Sequence, residues 1–195
     1  EAYETYKQQL SANTKQPGKP RDDEVKAVVE ILRDQLGGTV NVARAIRESP
    51  LGIDLNDTQC RALAEVAGAV GLETGTVLLE EGHVDETLYV VSSGSLEVIK
   101  PTGGGDAVTL QLLHAGDMAG ILGFVDGVPH SAGIRALTRC ELIELDRKDL
   151  EHLLEQDPQI AYQVMRAVVR AAHRILGKMN AQFVEMSNYI SHQHG

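Results

Sequence analysis

The apolar positions along this chain change period several times, and each change marks a different kind of element. Val25, Val28, Val29, Leu32 and Leu36 fall at helix spacing behind the acids Asp22, Asp23 and Glu24, and Gly37-Gly38 closes the pattern, which predicts an amphipathic helix. Residues 39–48 predict a second short helix stopped near Pro50. Leu55-Asn-Asp-Thr58 then supplies cap residues for a third, carrying Cys60, Leu63, Ala64, Val66 and Ala67. From Thr76 to Leu145 the pattern shifts to short β-rich runs at 77–79, 88–91, 96–99, 108–113 and 140–145, divided by glycines at 82, 94, 103–105 and 116. Short strands punctuated in this way predict a sandwich or barrel. Asp146 is placed to cap a helix over 147–155, and Pro158 opens a last, long helix.

In that last helix Ile160, Val164, Val168, Ala171, Ile175, Met179, Phe183, Met186 and Ile190 recur every three or four residues. At 1.5 Å per residue the pattern is about 45 Å long, more than one small barrel can cover. The surplus seam predicts a homodimer, with Val164, Val168, Ala171, Ile175 and Met179 as interface positions. Arg166, Arg170, Arg174 and Lys178 follow at four-residue spacing and form a basic stripe. Two explanations stay open: a face that is solvated or paired with the chain's own acids, or a docking face for an acidic protein partner.

Composition narrows the function classes. A chain of 195 residues, 43% of them hydrophobic, has room for one folded domain with helical extensions. Its parts read as a polar linker or disordered tail (1–21), an N-terminal helical extension (22–54), a β domain (55–156) and the long helix (157–191). The formal charge of −10 repels nucleic acid and membrane surfaces, so neither is expected as a partner. The paired helices before Pro50 invite comparison with a helix-turn-helix. Residues 22–54 carry more acids than bases, however, and a helical hairpin packed on the domain or on a partner is the preferred reading. Cys60 and Cys140 lie among apolar neighbours, which predicts buried free thiols and suits a reducing cytoplasm. No apolar run is long enough for a membrane span. No Gly-x-Ser-x-Gly, Walker loop, CxxC or HExxH occurs, and the histidines show no metal-site spacing, so neither catalysis nor a bound metal is expected.

The stretch from Ala119 to Ala136 holds four glycines and a proline between strand-like segments, a composition suited to bringing backbone close to an anion. The run Val77-Leu-Leu-Glu-Glu-Gly-His-Val-Asp-Glu-Thr-Leu-Tyr-Val-Val-Ser-Ser-Gly94 precedes it, with Asp85 where a small residue is usual. Together these resemble the cyclic-nucleotide-binding domain family. The resemblance covers about residues 55–190. It implies a mainly β fold with flanking helices, a β jelly roll followed by a dimerisation helix, and a phosphate-binding cassette at Gly120, Ile121, Leu122, Gly123, His130, Ser131 and Ala132.

Two positions depart from the family's cassette. Its glutamate, which accepts from the ribose 2′-hydroxyl, is matched by Ile121, which accepts nothing. Its arginine, which forks onto the cyclic phosphate, is matched by His130, which offers no fork and no permanent charge. At about 1.5–3 kcal/mol per charge-assisted bond, losing both weakens binding by about two to four orders of magnitude. The expectation is therefore a regulatory module that is not a tight cAMP or cGMP binder, with another nucleotide or a cyclic dinucleotide as a possible ligand. The alternative is a ligand-free dimerisation and docking module.

Overall fold

The computed structural model describes residues 42–102 and 107–193, with side chains to Tyr189. The tail at 1–21, the amphipathic helix expected before Gly37 and the Gly103–Gly105 turn lie outside the described residues.

Two four-stranded antiparallel sheets form the jelly roll. One runs β1 (Gly68–Leu72), β8 (Cys140–Asp146), β3 (Thr87–Ser93), β6 (Met118–Ala119). The other runs β2 (Val77–Leu79), β7 (Gly133–Ala136), β4 (Ser95–Pro101), β5 (Ala107–His114). Because side chains alternate across a strand, β3 and β8 serve two cores. Val91 and Leu142 face the second sheet and pack with Leu79, Leu96, Leu113, Ile134 and Ala136. Leu88, Val90, Ile143 and Leu145 face the helices. That double burial explains why Leu142 and Ile143 are apolar neighbours on opposite faces of β8, with Glu141 and Glu144 interrupting the run.

The helices that cover the first sheet are α1 (Val42–Glu48), α2 (Asp57–Val66), a short α3 (Ile121–Asp126), α4 (Arg147–Gln156) and the 36-residue α5 (Pro158–Gln193). Asn56 caps α2 in a reciprocal box: Gln59 N–H donates to Asn56 Oδ1 at 2.9 Å, and Asn56 N–H donates to Gln59 Oε1 at 3.1 Å. Asp146 caps α4 by accepting from Lys148 N–H at 2.9 Å. Between α1 and α2, Ser49 caps a single 3-10 turn at Pro50–Gly52. Ile46, Leu51 and Leu55 from this region are buried in the same core as α2, α4 and α5. Residues 42–54 are thus part of the domain's own packing and not an appendage to it.

The first half of α5 is a core element. Ile160, Ala161, Val164, Ala167, Val168 and Ala171 are buried against the first sheet and its helices. This corrects the seam expected from the sequence, because Val164, Val168 and Ala171 are already covered within the chain and Ile175 is half-buried. Of the expected seam only Met179 is exposed, and it lies in a neighbouring open stripe of Val169, Leu176 and Phe183 at seven-residue spacing, alternating with Met179 and Met186. The basic stripe is largely paired at home. Asp54 sits 2.6 Å from Arg170 and 3.7 Å from Arg166, and Lys178 lies 3.5 Å from Asp117, whereas Arg174 is exposed without an ion pair among the described residues.

Candidate functional site

The cassette is a helix-and-return built on three close approaches. Gly120 is left-handed at φ 77° and caps α3, and a Cβ there would run into the Thr87 carbonyl oxygen. Gly123 presses the helix onto the Asp85 carbonyl in the same way. Gly127, also left-handed, ends the helix with its N–H on the Gly123 carbonyl at 2.8 Å. Asp85 holds the opposite wall: Oδ1 accepts from Thr87 N–H at 2.9 Å and Oδ2 from the Tyr89 hydroxyl at 3.1 Å. Burial, reinforced by the Asp85 charge, pushes the Tyr89 phenol up to about 12. Asp85, expected at a position where small residues are usual, thus acts as a turn-former and tyrosine anchor.

The candidate site residues divide across this frame. Phe124 is fully buried and Ile121 packs beside it against the core that contains Ile160, Ala161 and Val164. Leu122 is exposed. On the return, His130 is pinned through its backbone, its N–H on the His83 carbonyl at 2.9 Å and its carbonyl accepting from Gly82 N–H at 2.8 Å. Its imidazole is half-buried, and Nε2 is shielded from solvent without a hydrogen-bond partner. Such an atom calls for a hydrogen-bond partner that the described residues do not supply. Ser131 is exposed and Ala132 half-buried. The Ser131 carbonyl accepts from Lys100 Nζ at 2.6 Å, and the same ammonium lies 2.8 Å from Glu81.

Sequence reasoning did not single out Lys100 or Gln111. Along β4, Leu96 and Val98 face the core between the sheets, and alternation carries Lys100 onto that face at the barrel mouth. Gln111 lies opposite Val98 on β5, and its Nε2 is likewise buried without a partner. The period-two pattern Leu96-x-Val98-x-Lys100 was the available signal. On the opposite face of the sheet, Glu97 is buried beneath Arg135, at 2.9 and 2.5 Å, and Thr109, at 2.7 Å. The Thr109 hydroxyl, with Arg135, holds the Glu97 carboxyl below its ordinary range. That cluster is a structural clamp across β5, β4 and β7.

A separate apolar groove of about 390 Å³ runs between α3, α4 and the start of α5, lined by Phe124, Val125, Leu150, Leu154, Ala161 and Met165 among others.

Fold and site define a jelly roll of two four-stranded sheets with a glycine-shaped helix-and-return and a long C-terminal helix. The cyclic nucleotide-binding domain model matches residues 69–157, and that stretch of the chain is a domain of this family. The chain is 35% identical over 118 residues, 60% of its length, to the cAMP-activated global transcriptional regulator CRP of Escherichia coli O6:H1. It is 29% identical over 121 residues, 58% of its length and 32% of the relative, to a cAMP-dependent protein kinase regulatory subunit of Yarrowia lipolytica. The match spans 56% of the length of the transcriptional regulator. Among solved structures, a cyclic nucleotide-binding domain from Methylobacillus flagellatus superposes with a TM-score of 0.70 at 22% identity, over 77% of this chain and 87% of that one. The N-terminal domain of a transcriptional regulator from Streptomyces coelicolor A3(2) gives 0.59 at 30% identity, over 69% and 94%.

These relatives overturn one expectation. The acidic charge argued against a nucleic-acid partner, yet the chain's relatives include regulators of transcription. Net charge reports on the segment that carries it, and a ligand-binding domain can be acidic in a protein whose output is on DNA. Among the described residues, no helix is long and apolar enough to cross a membrane.

Proposed function

We propose that the chain is a non-catalytic, cytoplasmic regulatory module in which the cassette takes a small phosphate-bearing ligand and α5 reports its occupancy. Cyclic nucleotides bind more weakly here than to a cassette with arginine and glutamate, and another nucleotide or a cyclic dinucleotide is the preferred ligand. One observation carries the reading. The cassette joins a solvent-shielded, unpartnered His130 Nε2 on its return to Ile121 and Phe124, which share a core with the start of α5. A ligand that binds two positions of α3 with different affinity biases α5 by at most that difference in free energy. The named relatives, a transcriptional regulator and a kinase regulatory subunit, support a regulatory and not a catalytic role.

Thermal melting with cAMP, cGMP, cyclic di-GMP and cyclic di-AMP tests this. A ligand at a hundred times its Kd stabilises by about 2.7 kcal/mol. At least one member of the panel should raise the melting midpoint, with cAMP and cGMP acting only at high concentration. A flat response to all four at millimolar concentration would contradict the reading.

A second reading has its own observation. The open stripe of Val169, Leu176, Met179, Phe183 and Met186 has the spacing of a coiled-coil seam. It supports homodimerisation through α5 with or without a ligand.

A further inference from the structure

We propose that Lys100 is the cation of this cassette, standing in for the fixed charge that His130 does not provide. The inference rests on the ligand-binding reading above and names the residue that reads the ligand's phosphate. Among the described residues two cations reach the cassette. Arg147 approaches its far end at Gly127 and is tied to Glu86, with Glu151 3.6 Å away. Lys100 reaches the return strand, where its ammonium contacts the carbonyl of Ser131, the residue next to His130. The face of β4 that bears Lys100 also bears Val98, opposite Gln111, whose Nε2 lacks an acceptor. The Lys100 ammonium and the unpartnered Gln111 amide belong to one face of the sheet and are donors suited to phosphate oxygens and not to a cation or an apolar ligand, and on the return strand beside the Lys100 contact the shielded His130 Nε2 has no partner.

Glu81 gives this arrangement a built-in competitor. At 2.8 Å it neutralises Lys100 in the ligand-free state, so an entering phosphate must draw the ammonium away from a carboxylate. Lys100 is about half exposed in its side chain, with four rotatable carbons that allow that transfer without backbone movement. A cassette arginine is charged whether or not a ligand is present. Here the cation is gated by its own ion pair, which selects for ligands with more than one negative charge.

Lys100→Met and Glu81→Gln separate this role from a structural one. Both remove the same ion pair, so a merely structural bridge makes the two variants behave alike. An anion contact makes them diverge. Titration of the full chain with cAMP, cyclic di-GMP and inorganic phosphate, followed by calorimetry, should show binding weakened tenfold or more by Lys100→Met and tightened severalfold by Glu81→Gln. Binding by the wild-type chain that Lys100→Met leaves unchanged, or shifts of one sign in both variants, overturns the lysine's role and leaves the ligand-binding reading intact. Silence of the wild-type chain with all three probes overturns both. An equal affinity for inorganic phosphate supports the lysine contact while overturning the nucleotide reading.

Discussion

At the scale of single residues, the site depends on backbone that only glycine allows. Gly120 combines a positive φ with a missing Cβ against the Thr87 carbonyl. Gly120→Ala should therefore destabilise the domain by about 1–3 kcal/mol. At about 2–4 °C per kcal/mol for a chain of this size, thermal melting resolves the loss readily. An unchanged midpoint would mean that the cassette relaxes at no cost. Phe124→Ala, at a fully buried position, should cost about 3–5 kcal/mol.

Glu97 gives a prediction in pH. Its carboxyl lies below its ordinary value of 4.5 in the folded chain because Thr109 and Arg135 favour the ionised form. A depressed carboxyl contributes stability above its unfolded pKa and loses it as pH falls through the folded one. Wild type should therefore melt above Glu97→Gln at pH 7, and the gap should close below about pH 4.5. Melts from pH 7 to 3 check this, and a gap that is constant with pH would remove the charge from the explanation.

At the scale of elements, α5 does two jobs on two faces. Its first half closes the helix-side core through Ile160, Val164 and Val168, and the stripe through Leu176 and Phe183 faces outward. Leu176→Glu with Phe183→Glu should yield a folded monomer by sedimentation if the wild-type chain is a dimer through this seam. A dimer that survives both charges places the interface elsewhere. The sequence showed that α5 was apolar beyond what the barrel needs, because the spacing repeats so far. It did not show which apolar residues face inward, since three-to-four periodicity over 36 residues fits two neighbouring stripes at once. Strands β3, β4, β5 and β8 were legible from β-branched runs between glycines. By contrast, β1 is Gly-Ala-Val-Gly-Leu, whose small residues carry no alternation, and β6 is two residues long. Their pairing with β8 and β3 supplies what local pattern could not. The cassette was legible through its glycines and Pro129-His130. Lys100 was not, because its importance comes from strand register and from Ser131, thirty-one positions away.

At the scale of the whole molecule, residues 69–157 form a cyclic nucleotide-binding domain, and the proposal is that its frame is kept while two charged ligand contacts are replaced. The frame consists of the glycine-shaped turn, the Asp85 wall and a shared core linking Ile121 and Phe124 to α5. On that proposal the replaced contacts stand at Ile121 and His130. The relatives place such domains in transcriptional and kinase regulation, so the domain's output need not act at its own surface. The most direct measurement is a calorimetric titration of cAMP into the wild-type chain and into His130→Arg. The account predicts weak binding by the wild type and a gain of about tenfold or more on restoring the arginine, the value of one charge-assisted bond. Micromolar binding by the wild type, or no gain in a folded His130→Arg, would contradict it.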